Sequence, residues 1–550
     1  MRSFIRCVCA ALILLAAVFS VCAFIERVDA EEVVEVIEVS EVSDKAPEAD
    51  KAGRVTAEAP EAPESAEAAE NEPEKTPAPQ AEAPDAGAEQ LLDAGFSEIT
   101  PAREKTYLPI DLTAASQDAA RQKAEGWSWD AEKRVLTLDG VNIETLGTSV
   151  ILPEGSVTVA VKGDNRIVSR GAAKASICCF EGASKRKTAL DITGGGRLSL
   201  NPSNGKGNSA GAAVDSFCAA MKGVLEINCK SYGNYTVSGI YANKDVQLSG
   251  GDIAVNYSGK AGGSFCGFNA YQGEYIQDKA ASVTIKASGS RDTISGIAAR
   301  AVKLKGFASI AEKSGGYITA LYADDSIELA KGSKCLIRLE SAKDRALGVL
   351  ALDGGITAKG VLQINASGNV EAGGIYARNV RLASSTSLIV TNASAAATNT
   401  DIDGAFGIKS KTSIAAEDSI LNVSAAGRGS FALAAADSIQ LLSCKTELWG
   451  GDAAIYGSKA DTGLKISGGS LTAGSDNKAA DIKGELTLYG AQITEGGKKG
   501  RLDKDSATLV TEKSAKPVKT SKPSKTSKPK ASPSPTPSAT PKPPQLQFGR

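Results

Sequence analysis

The chain has 550 residues, 56 of them glycine, with 5% aromatic residues, no histidine and a formal net charge of −2. The lack of histidine excludes Ser-His and Cys-His nucleophile systems and every histidine-ligated metal. The near-zero charge hides opposed ends: residues 31–90 carry 18 acidic and 4 basic side chains, and residues 498–550 carry 3 acidic and 13 basic ones.

At the start, Arg2 and Arg6 precede an apolar run from Cys7 to Ile25, and Val28-Asp29-Ala30 offers a small-residue cleavage pattern. Residues 1–30 are expected to be an export signal. Because the run is long, an uncleaved membrane anchor is the alternative, and the only membrane contact expected. Residues 31–93 are rich in Ala, Glu and Pro, too polar and charged to offset chain entropy, and read as a disordered linker. Residues 94–134 read as an N-terminal cap, with an Ala-rich helix from Ala114 to Ala124 followed by Trp127 and Trp129.

Residues 135–495 repeat. Gly239-Ile240-Tyr241-Ala242 matches Gly374-Ile375-Tyr376-Ala377, and related starts occur at Gly267, Gly296, Ala320, Gly348, Gly407, Ala432 and Ala454, with weaker ones at Ala219 and Ala480. The mean period is about 26 residues, within the solenoid range. A second strand alternates, as in Val302-Lys303-Leu304 and Val380-Arg381-Leu382. A third follows, as in Ile253-Ala254-Val255, Leu362-Gln363-Ile364 and Leu388-Ile389-Val390. Period-two alternation buries one face of a strand, and no proline interrupts residues 204–516. The fold class expected is all-β: a right-handed parallel β-helix. Residues 496–550, with "KPVKTSKPSKTSKPKASPSPTPSATPKPP", read as an extended, polyproline-like, disordered tail.

Seven cysteines lie outside the signal, an odd number at irregular spacing with no CxxC, so neither a zinc site nor a disulfide framework is expected. Cys218 and Cys266 share an SFC context and are placed two coils apart, about 9.6 Å, too far for a disulfide.

Three candidate features stand out. Tyr241, Tyr322, Tyr376 and Tyr456 share the position after the buried apolar residue of the first strand, with Met221, Leu350 and Ile482 there in other coils. Alternation points this column outward, where rings could stack on sugars; a half-buried packing facet is the plainer explanation. Asp325, Asp418 and Asp437 each precede Ser-Ile, with Asp324 and Glu417 adjacent. Corner turns that use Asp to cap backbone groups explain them most simply. Calcium is the alternative, with Asp418 and Asp437 as the best pair. Asn256, Asn365 and Asn392 recur after the third strand and read as a structural ladder.

Three stretches, "GWSWDAEKRVLTLDGVNI" (Gly126–Ile143), "ILPEGSVTVAVKGDNRIVS" (Ile151–Ser169) and "GIKSKTSIAAEDSILNVSAAG" (Gly407–Gly427), resemble the carbohydrate-binding β-helix proteins of Gram-positive bacterial surfaces, which are related in fold to pectate lyases. The resemblance spans Tyr107 to Gln492. It implies a secreted or cell-surface, bacterial protein that binds polysaccharide, of acidic or plant cell-wall type among the choices, outside the cell and sometimes with calcium. The Gly-His-Gly and Arg-x-Pro motifs of enzymes with this fold are missing. The expectation is therefore a monomeric, non-catalytic binder with no required cofactor and no nucleic-acid partner. A structural adhesin recognising a protein or host glycan is the first alternative, and a divergent polysaccharide lyase the second.

Overall fold

The structure, a computed structural model, describes residues 103–475 apart from short internal stretches, together with the backbone of four further strands between Lys478 and Thr511. The expected signal and linker lie outside the described residues, as does the expected tail (496–550) apart from the strand Thr508–Thr511, which pairs with Glu485–Leu488 where a disordered tail was expected.

Short alternating strands cannot bury their apolar face alone, and here they bury it by stacking. The chain winds into a parallel β-solenoid of about 12 turns, with about 27 residues per turn. Each turn contributes a strand to each of three walls. On the first wall Ile240, Phe268, Ile297, Leu321, Val349, Ile375, Ile408, Leu433 and Ile455 pair in sequence, one per turn. All are fully buried. The second wall stacks Tyr275, Val302, Ile327, Ile356, Val380, Ile414, Ile439 and Leu464. The third stacks Val255, Ile285, Ile310, Ile337, Ile364, Ile389, Val423 and Leu448. Burying each such side chain contributes roughly 1.5–3 kcal/mol, so the rod is held by its lumen.

The register corrects several expectations. The turn before Tyr241 begins at Gly211, not Ala219: Ala212 pairs with Ile240 and Ala213 with Tyr241. Met221 is therefore not in the tyrosine column but in the core. At the far end Ala480 pairs with Ile455, so that copy begins at Ala479. Cys218 pairs with Asp191 and Gln247 on the second wall, whereas Cys266 pairs with Ser238 and Ser295 on the first. Their shared SFC context is a coincidence of two different walls. The asparagine ladder also has other members. Asn256 donates to Asn228 (3.0 Å) and Asn228 to Asn201 (3.1 Å). Asn365 lies between Arg338 and Val390, and Asn392 between Ser367 and Ala426.

The N-terminal end carries the only helix among the described residues, Ala119–Glu125. It starts later than Ala114 because Asp118 caps it, its carboxylate accepting from the Ala120 and Arg121 amides; Gly126, at φ 80°, ends it. Glu125 then ties the cap together, accepting from Arg121, Trp127 and Thr106 at 2.9, 3.0 and 3.0 Å. Trp127 is buried in the core, on a strand (Trp127–Asp130) antiparallel to Val135–Asp139. A strand at Ile110–Asp111 already runs parallel to Val150–Ile151.

Candidate functional site: two outer faces of the rod

The tyrosine column does point away from the lumen, but its rings do not stand free. Its members in order are Ala213, Tyr241, Asn269, Ala298, Tyr322, Leu350, Tyr376, Lys409, Ala434 and Tyr456. Three of the four tyrosines have an alanine on a neighbouring rung, Ala213 beside Tyr241, Ala298 beside Tyr322 and Ala434 beside Tyr456, which leaves room for a ring to lie down; Tyr376 stands between Leu350 and Lys409. Tyr241 is only 4% exposed and packs with Ala175, Cys178, Ala210 and Ala213. Tyr322, 5% exposed, packs with Leu347, Leu350 and Phe406. Tyr376 and Tyr456 are half-buried. Phe406 tilts against Tyr376 at 6.2 Å, and Phe431 stacks on Tyr456 at 4.3 Å. Lys409 and Lys411 stand 5.9 and 5.7 Å from the Tyr376 ring, and Lys411 also donates to the Leu352 carbonyl at 2.6 Å. The column is thus largely a self-covering cladding, with Tyr376 and Tyr456 as its accessible parts.

The acidic residues do not converge. Asp325 lies within the continuous strand Ile318–Leu329 and Asp437 just before the strand Ser438–Leu442, each two residues before a second-wall core residue, Ile327 and Ile439, but four rungs separate those residues, about 19 Å. Asp418 belongs to another corner. It follows the second-wall strand, beside Ser443, because Glu417 pairs with Leu442. Ser384, Asp418, Ser443 and Gly468 form one column there, all left-handed at φ 49°, 48°, 53° and 65°. Behind it, Ser385 and Ser419 are buried with their hydroxyls 3.2 Å apart. Asp325 is partnered by Arg300 at 3.7 Å and Asp437 by Lys459 at 2.6 Å. Asp324 accepts from the Tyr322 hydroxyl at 2.7 Å. Burial raises the Asp324 carboxyl above its usual range, Tyr322 opposes this, and the charges of Asp325 and Asp353 add to it. Among the described residues no group of three or more carboxylates or thiols is placed to share a metal ion. Asp418 and Asp437, the pair weighed for calcium as the alternative, stand at opposite ends of paired second-wall strands, so they do not face each other across one corner.

The third wall presents a face that the sequence patterning misses. Val361, Gln363 and Asn365 stand on one rung. Thr386, Leu388 and Val390 stand on the next, then Ile420, Asn422 and Ser424, then Lys445, Glu447 and Trp449. All twelve side chains face outward, opposite the buried stack of Ile364, Ile389, Val423 and Leu448. The grid measures roughly 13 by 14 Å. Val361, Val390, Ile420 and Trp449 are 38%, 40%, 49% and 39% exposed; they alternate between the two edges of the grid, with the half-buried Leu388 between them. Amides and hydroxyls fill most of the places between them, Leu388 and the Lys445–Glu447 ion pair the rest, and Asn422 donates to Glu447 at 3.4 Å. The expected alternation of Leu388-Ile389-Val390 is inverted: Ile389 pairs with Ile364 and points inward, which leaves Leu388 and Val390 outside.

Comparison with protein-family models, curated proteins and solved structures finds no match to this chain.

Proposed function

We propose that the chain is a secreted or cell-surface, non-catalytic polysaccharide-binding β-helix, and that the polymer lies across the outer grid of the third wall. The exposed quartet Val361, Val390, Ile420 and Trp449 carries this reading. A pyranose ring offers an apolar face with hydroxyls at its rim. The grid offers apolar and indole surface interleaved with Gln363, Asn365, Thr386, Asn422 and Ser424, which can exchange hydrogen bonds with those hydroxyls. A parallel sheet holds these groups on a rigid floor, so little order must be gained on binding. Tyr376 and Tyr456 supply a second, smaller contact region on the first wall; Tyr241 and Tyr322 are too covered to stack on a ligand. Export rests on the N-terminal sequence pattern alone.

The test is a panel of soluble oligosaccharides and insoluble polysaccharides probed with wild type, Trp449→Ala and Val390→Asp. Affinity that rises with oligosaccharide length and falls in both variants supports the reading. A protein ligand bound independently of these residues would instead support the adhesin. Shortened or unsaturated products would support the lyase.

A further inference from the structure

The first wall bends inward at its glycines. A methyl group added at Gly239, Gly267 or Gly296 would stand 2.6 Å from Val255 Cγ1, 3.0 Å from Ile285 Cδ1 or 3.0 Å from Ile310 Cγ2. On the outside the same bend makes a trough along the rod. The tyrosine column is one bank, and the residue three positions earlier is the other, as Ser238 is for Tyr241. On either side of these turns apolar side chains meet across the trough, Ala210 with Tyr241 and Leu347 with Tyr322. Between those clusters its lining is polar. Three successive rungs carry Thr236 and Ser238, Ser264 and Asn269, and Thr293 and Ser295, with the small residues Cys266 and Ala298 among them.

We propose that this stretch is a further saccharide site, which takes one uncharged sugar unit by its hydroxyls; it rests on the reading of the chain as a polysaccharide binder. Asn269 carries the argument. It is 5% exposed, yet its amide has no hydrogen-bond partner among the described residues. The groups beside it are turned elsewhere. The Tyr241 hydroxyl donates to Asn243 at 3.2 Å, the Tyr322 hydroxyl to Asp324 at 2.7 Å, and the Cys266 thiol to the Phe268 carbonyl at 3.3 Å. Ser238, which is buried, and Ser295, which is half-buried, also have hydroxyls without a partner among the described residues. They stand on the opposite bank, one rung to either side of Asn269 and about 9.6 Å apart.

A buried amide with donor and acceptor both unpaired is costly unless another group completes it. Two adjacent sugar hydroxyls do this together, one accepting from Nδ2 and the other donating to Oδ1. The remaining hydroxyls of that sugar then face Ser238 and Ser295. No charged side chain stands on these three first-wall rungs, 236–242, 264–270 and 293–299. Nothing there would offset the lost hydration of a carboxylate or sulfate, so the site favours a neutral sugar.

Calorimetric titration of the full-length protein with cellotriose, xylotriose, mannotriose and trigalacturonate tests this, beside the polymers of the earlier panel. In the Trp449→Ala background, where the third-wall grid is weakened, at least one neutral trisaccharide should still bind. Adding Asn269→Ala should raise its Kd about tenfold, and adding Ser295→Ala about threefold, with the melting temperature not lowered. Equal Kd with and without both substitutions would overturn the site and leave the grid untouched. Trigalacturonate bound at this site as tightly as the neutral sugars would overturn the uncharged class. Polymer binding without any trisaccharide binding would overturn this site alone. Absence of both would overturn the reading on which it rests.

Discussion

Gly374 and Ile389 press against each other across the lumen of one turn: a methyl group on Gly374 would stand 2.4 Å from Ile389 Cγ2 and 2.3 Å from the Gly407 carbonyl oxygen. The wall pinches inward at this column, and Gly407 meets Val423 in the same way. Glycine before the buried isoleucine is therefore a demand of space at these two turns, whereas Ala320, Ala432 and Ala454 hold the slot in others. Gly374→Ala should cost about 2–3 kcal/mol through overpacking, measured by chemical denaturation. Ile375→Val, next to it, should cost only about 1 kcal/mol.

Exposure separates binding residues from packing residues. Trp449→Ala should weaken polysaccharide binding by about 1 kcal/mol, a five- to tenfold rise in Kd, with unfolding unchanged. Tyr322→Ala should instead cost about 3 kcal/mol of stability, because its buried ring covers Leu350 and its hydroxyl satisfies Asp324. Thermal melts and binding isotherms on both variants check the division.

Glu312 faces the lumen between Ala287 and Leu339, is 3% exposed, and neither carboxyl oxygen has a hydrogen-bond partner. Desolvation holds its carboxyl well above the usual range. A raised carboxyl binds more protons folded than unfolded, so it subtracts stability as pH rises above about 4.5, by up to ~1.4 kcal/mol per pH unit until the folded carboxyl ionises. Glu312→Gln should flatten this slope, and Glu312→Leu should make the protein more stable than wild type at pH 7.

Glu125 has the opposite sign. Burial alone would raise its carboxyl, but the bonds from Arg121, Trp127 and Thr106 outweigh this and hold it below the usual range. Its contribution is present above about pH 4.5 and is lost as pH falls further. Glu125→Gln should reduce acid sensitivity and loosen the cap, seen as altered Trp127 fluorescence.

Asp418 sits at φ 48° with no shared cation partner in its column. Asp418→Gly should be neutral or stabilising, and Asp418→Val should cost about 1–2 kcal/mol from left-handed strain. EDTA should not change the melting temperature through Asp418 and Asp437. A chelator-sensitive melt abolished by changing either residue would contradict their separation.

Much of the fold was legible because solenoid turns obey one repeated constraint: the buried residue from Ile240 to Ile455 had to recur in one slot. What escaped the sequence depends on neighbours in other turns. Leu388-Ile389-Val390 is apolar throughout, so period two cannot choose its face; only the pairing of Ile389 with Ile364 does. Trp449 gains meaning only from the face it shares with Val390, two rungs away in the same column, and Ile420, on the opposite edge, and neither is near it in sequence. Asp-Ser-Ile misled because aspartate suits two different corners, one before a strand at Asp437 and one in left-handed geometry at Asp418. The outward direction of the tyrosines was correct, yet their cover comes from Leu347, Leu350 and Phe406, which alternation within one strand does not reveal.

The ladder hydrogen bonds of a solenoid run along its axis, and this chain enters at one end and leaves at the other. A pull between the flanks therefore opens rungs one after another, from an end inward, instead of breaking many together. Each turn released would free about 27 residues, on the order of 80 Å of chain, in exchange for less than 5 Å of rod. Between an anchored partner and a moving one, such a molecule would lengthen in steps under load and rewind when slack, damping the strain on whatever holds it.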